Sequence, residues 1–153
     1  MEPAHLHLIT THVPVLGTLF GLCLLGFGLA RRSEELKKTS LVTFVVAALV
    51  AIIAYLSGEP AQEALKGIAG VSKDAVEQHQ ELAQVAFVAM MALGVVALAG
   101  LVLFRRGKPV ARWFAALVLV VALLTSVLMG WTANLGAKVR HSEIRGGVFP
   151  NSR

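Results

Sequence analysis

The sequence is short of charge, of cysteine and of aromatic residues. Of its 153 residues only 15% are charged, nine of them acidic, and only 7% are aromatic. Hydrophobic residues make up 56%, and the mean hydropathy is +0.73. One globular core of this size needs far less apolar material, so an ordinary soluble domain is excluded. The single cysteine, Cys23, lies inside the first apolar run. An internal disulfide, an iron–sulfur ligand set and a C-x-x-C-H site for covalent haem are therefore all excluded. The net charge of +5 comes from short basic clusters between apolar runs rather than from a basic face. That pattern speaks for membrane topology and against nucleic acid as a partner.

Four apolar runs are present, Val13–Ala30, Ser40–Ser57, Leu82–Phe104 and Trp113–Leu135, and none contains Asp, Glu, Lys or Arg. At about 1.5 Å per residue each is long enough for a hydrocarbon core of roughly 30 Å. The expected fold is an all-α membrane protein, a single domain of four transmembrane helices packed as two antiparallel hairpins. The first run is expected to stay as an anchor, because Glu2 and no basic residue precede it while Arg31 and Arg32 follow. The two tight connections carry Arg31, Arg32, Lys37 and Lys38, then Arg105, Arg106, Lys108 and Arg112, against only Glu34 and Glu35. The positive-inside rule assigns both to the cytoplasm, so both termini and the loop 58–81 face outward from an inner membrane. Within that loop Pro60–Gly67 predicts a short amphipathic surface helix ended by Gly67 and Gly70, and Ser72 is a candidate cap for a third long helix that starts well before its apolar run.

The five histidines all fall at the outer end: His5, His7 and His12 at the first helix, His79 before the third apolar run and His141 after the fourth. Imidazoles near hydrocarbon need partners, so a set gathered from three helices at one end marks a candidate site, although any one alone is readily a surface residue. Helical pitch puts His79 in line with Ala83 and Ala86, and His141 in line with Gly130, Asn134 and Ala137, a small face with room for a flat ring. Pro14 implies that the first helix either begins near His12 or kinks there. Gly17 and Gly21 permit a close helix approach, with plain helix packing an equally good explanation. His7 and His12, five residues apart, point about 140° from one another, so one helix does not aim both at one metal.

Together, His7-Leu-Ile-Thr-Thr-His12-Val-Pro14, a lone His79 leading the third helix, and Gly130 to Gly136 followed by Val139-Arg140-His141 resemble the bacterial four-helix membrane family called domain of unknown function 2231. The resemblance covers nearly the whole chain and places His7, His12, His79 and His141, but not His5, at motif positions. The family's His-Pro opening is His7-Leu8 here, and its closing His-Gly is His141-Ser142. Some relatives are joined to Rieske-type iron–sulfur domains, which implies a redox setting.

Three chemistries remain open. Imidazoles from two helices can ligate b-type haem, and His7, His12, His79 and His141 suffice for one or two such haems. Electrons would then be exchanged on the periplasmic side, with quinol or a Rieske-type or cytochrome-type redox protein, and not across the membrane. The same histidines, with Glu77 or Glu81, are an alternative direct site for zinc, copper or iron, although no H-E-x-x-H pair favours it. Thirdly, the histidines are hydrogen-bonded structural groups in a non-catalytic subunit of a larger complex. No nucleophilic triad, phosphate loop or acid pair is present to mark a stand-alone enzyme. Tyr55 and Trp131 are expected at the lipid interface, and Met90, Met91 and Met129 in the packing.

Overall fold

A computed structural model of the chain describes residues 3–65 and 73–140. Among the described residues there are five helices: α1 (Pro3–Ala30), α2 (Glu34–Leu56), α3 (Gly58–Leu65), α4 (Lys73–Leu103) and α5 (Arg112–Arg140). No strand occurs among the described residues. Four of the helices are long and apolar enough to cross a membrane. They form the expected four-helix bundle, with α1 against α2 and α5, and α4 against α2 and α5. The first hairpin, α1–α2, thus packs side by side with the second, α4–α5, while α1 and α4 lie across the diagonal.

Only 28% to 39% of each apolar window is buried inside the protein. Large side chains such as Leu16, Phe20, Phe27, Val95 and Leu124 stand exposed around the perimeter. Water would penalise such a surface heavily, whereas lipid tails do not, so this exterior fits a bilayer. The interior is built from small residues. Ala47, Ala48 and Ala51 of α2, Ala86 and Ala97 of α4, and Ala115 and Ala122 of α5 are buried around Leu25, Phe44, Met90, Leu93 and Val118. Between lipid-exposed helices it is close backbone approach, not water exclusion, that rewards association, and small residues allow it. At Gly21 a Cβ would meet the Phe44 ring at 2.5 Å, and at Gly94 it would overlap Ala48. Gly21 therefore serves helix packing, and so does Gly17, whose nearest neighbour is Ala47.

The first hairpin turn is very short. Ser33 N–H donates to Gly28 O at 2.9 Å and Arg32 N–H to Leu29 O, the bond pair that closes a helix with a left-handed residue. That residue is Arg32, at φ 54°. Ser33 at once caps α2, accepting from Leu36 N–H at 3.3 Å, and Glu34 and Glu35 face the positive end of the new helix. Helix α2 consequently begins six residues before the apolar run Ser40–Ser57, and Lys37 lies inside it.

One expectation about α1 and one about α5 need correction. Helix α1 starts at Pro3 and runs through Pro14, so it does not begin near His12. Pro14 is tolerated as an interior residue, its carbonyl accepting from the buried hydroxyl of Thr18. On α5 the line Gly130, Asn134, Ala137 is exposed, so that small face points away from the bundle, and Met129 and Ser126 point inward instead. The short helix of the 58–81 loop is present as α3, and α4 begins nine residues before its apolar run. Gly67, Gly70 and Ser72 lie outside the described residues. Met90 and Met129 are buried in the packing, Trp131 is exposed, and Tyr55, also exposed, stacks on Phe87 of α4 with ring centroids 4.2 Å apart.

Candidate functional site

Two of the four candidate ligands are drawn into the bundle. His7, in the second turn of α1, is half-buried against the end of α2, where its Nδ1 lies 2.9 Å from Ala54 O and 3.2 Å from Ser57 Oγ. Ser57 is itself buried and spends its hydroxyl proton on Ala54 O at 2.9 Å, so its oxygen is free to accept. His79, in the second turn of α4, is also half-buried, and its Nδ1 lies 3.1 Å from Thr132 O on α5. A carbonyl oxygen can only accept, so in both rings the Nδ1 carries the proton. In a neutral imidazole with that tautomer, the lone pair is on Nε2.

Small residues hold the two rings at their places. A Cβ on Gly136 would stand 3.1 Å from Cε1 of His79, and a Cβ on Gly58 would stand 3.4 Å from Cε1 of His7. The carbonyl that orients His79 comes from Thr132, one helical turn before the glycine that makes room for it. His7 and His79 belong to diagonally opposed helices, each near its helix's N-terminus. The bundle thus brings one histidine from each hairpin to the same end.

His12 goes elsewhere. Its ring is exposed on α1, as the angle from His7 requires. His141 lies outside the described residues, and the side chain of His5 is likewise not described. Glu77 and Glu81 are exposed on α4. Among the described residues no three His, Cys, Asp or Glu side chains come together as a bare metal ion would need.

The sequence reading did not find Ser57, Gly58, Thr132 or Gly136 as companions of the histidines. Ser57-Gly58 at the end of an apolar run was a local signal for the first pair, whereas Thr132 acts through its carbonyl, which every residue has. It also missed Thr18, a fully buried hydroxyl in α1 that reaches Met90 Sδ across the diagonal at 3.4 Å. Thr125 and Ser126, buried on α5, donate to the carbonyls of Val121 and Ala122 in their own helix. The bundle's buried hydroxyls are thereby satisfied, and among the described residues no buried side-chain nitrogen or oxygen lacks a partner. No family model, curated protein or solved structure matches this chain.

Proposed function

We propose that the chain is a membrane electron-transfer protein, or the subunit of a redox complex, that holds b-type haem between His7 and His79 at the histidine end of the bundle. The observation that carries this reading is the shared orientation of the two rings. An imidazole that gives its Nδ1–H to a backbone carbonyl is fixed in tautomer and direction, and its Nε2 is made a better donor to iron. Two such rings, one from each hairpin, are the number a haem iron takes from the protein, whereas a bare zinc or copper ion takes three or four ligands. A bound haem would supply a one-electron iron couple. The chain's own part is to hold the two imidazoles by their Nδ1–H, with Gly58 and Gly136 leaving room for the rings.

His12 and His141 are the candidates for a second haem or for accessory roles, in line with the resemblance to domain of unknown function 2231. The basic turns favour an inner-membrane orientation with the histidine end on the periplasmic side, where quinol or a Rieske-type or cytochrome-type protein is the natural exchange partner. With no histidine near the basic end, electron transfer across the bilayer is not part of the proposal.

The test is a reduced-minus-oxidised absorption spectrum and a pyridine haemochrome assay on detergent-purified protein, beside His7→Ala, His79→Ala and His12→Ala. Sharp reduced α and Soret bands are expected in the wild type and in His12→Ala at one haem per chain, and are lost in His7→Ala and His79→Ala. A second reading, histidines as structural ties, is favoured by the bonds themselves, which join residues 47 and 53 apart in sequence. It predicts a colourless wild type, from cells supplied with haem, whose His7→Ala and His79→Ala variants lose thermal stability alone.

A further inference from the structure

The opposite end of the bundle contains a cleft of about 470 Å³ that the electron-transfer reading does not use. It opens where the two hairpin turns meet. Arg32, Lys37 and Arg112 line it from three different elements, beside the apolar Leu29, Pro109 and Ala111. The one acid in its wall, Glu34, is already occupied: Oε1 pairs with Lys37 Nζ, and Oε2 accepts from Val110 N–H at 2.7 Å. Lys37 is buried and gives a second proton to Val110 O at 3.3 Å. Its third N–H remains. Among the described residues Arg32 and Arg112 form no ion pair.

Arg32 also stands where its backbone works against it. It occupies the left-handed position that ends α1, at φ 54°, a position glycine fills most comfortably. The turn would close more easily without the side chain that carries the charge. Next to Arg112, Trp113 is exposed, as aromatic residues at headgroup level commonly are. Cations spaced around a cleft with one apolar wall, at the end of a lipid-exposed bundle, have the chemistry of a phospholipid headgroup site: guanidinium groups for phosphate oxygens, apolar wall for the glycerol and first methylenes.

We propose that this cleft binds the phosphate of an anionic membrane phospholipid, which Arg32, Arg112 and the remaining N–H of Lys37 recognise at the junction of the two hairpins. The lipid would bridge the first hairpin to the second on the face where Glu34 and Lys37 already clamp Val110. The proposal does not depend on haem, since it concerns the other end of the molecule.

The experiment is native mass spectrometry of the delipidated full chain in detergent, titrated separately with phosphatidylglycerol, phosphatidylcholine and inorganic phosphate. The cleft pair Arg32→Gly with Arg112→Gln is compared with a matched pair, Arg105→Gln with Arg106→Gly. Arg106 also has a left-handed backbone, φ 57°, so both pairs remove two charges and relieve one backbone strain at the same end. Expected is one phosphatidylglycerol retained by the wild type and the matched pair, and affinity about 30-fold weaker in the cleft pair, roughly fivefold for each guanidinium. Equal losses in both pairs would make the effect general surface charge and overturn the proposal. So would equal retention of phosphatidylcholine, inorganic phosphate binding as tightly as the lipid, or a wild type that retains no anionic lipid. Arg32→Gly alone, whose backbone favours the change, keeps the test decisive if the double variant fails to fold; a loss of about fivefold is expected, and no loss would sink the site.

Discussion

The two ends of this bundle are tied in opposite ways. At the histidine end the ties are imidazole–carbonyl hydrogen bonds and lie within a hairpin: His7 joins α1 to the end of α2, and His79 joins α4 to α5. At the basic end the tie is ionic and runs between hairpins, since Glu34 and Lys37 of α2 hold both the N–H and the carbonyl of Val110, two residues before the start of α5. A charge-assisted clamp fixes the hairpins to one another at one end. Imidazole–carbonyl bonds at the other leave His7 and His79 tied within separate hairpins. A ligand that joins hairpins at the histidine end would add a polar tie between them of the kind that Glu34 and Lys37 make at the basic end.

Variants can break this contrast. The largest effect is expected from Gly136→Val, which keeps every histidine but puts bulk where a Cβ already comes within 3.1 Å of the His79 ring. Overpacking costs about 1–3 kcal/mol, and here it falls on the ring that the proposed haem needs. Most of the haem absorbance is expected to vanish while helical content by circular dichroism holds. Gly58→Ala is the comparison, because its Cβ makes ordinary contact with His7 at 3.4 Å; haem content should be unchanged.

Glu34→Ala should weaken the other end. It strands the buried Lys37 and the Val110 N–H, and losing hydrogen bonds to charged groups costs about 2 kcal/mol. The loss is read as a lower thermal midpoint in detergent, with haem content per folded chain unaltered. Pairing the change with Lys37→Met sharpens the point. Lys37 is buried while Glu34 is partly exposed, and removing a buried charge together with its partner is commonly less harmful than leaving it behind, so the double variant is expected to melt above Glu34→Ala. Additive losses would mean that the two side chains do not act as a unit.

The smallest effect is a gain. Arg32→Gly relieves a left-handed backbone that costs an L-residue about 1 kcal/mol, and lipid-free protein should melt slightly higher. If Arg32→Gly instead melts lower in the absence of lipid, the guanidinium has a structural partner within the chain.

Local chemistry made much of the fold legible. Apolar runs without charge announce the four long helices, the basic turns separate them, and the angle between His7 and His12 on one helix says that the two do not share one metal. Lys37 shows the limit. It reads as one more topological charge, since nothing in its neighbourhood says that α2 begins before it or that Val110, 73 residues away, lies across from it. The line Gly130, Asn134, Ala137 misled for the same reason: pitch shows that residues share a face, and only the packed partner decides whether that face looks in or out.

Composition and periodicity by themselves determined a four-helix membrane bundle with its histidines at one end and the basic clusters of its two tight turns at the other, because apolar helices satisfy their own backbone in hydrocarbon and polar residues are sorted to their ends. Tertiary structure alone decided which histidines turn inward, which carbonyls orient them, and which charges pair. Those outcomes depend on how two hairpins meet, and a backbone carbonyl or a helix face carries no residue-specific mark until another helix is set against it.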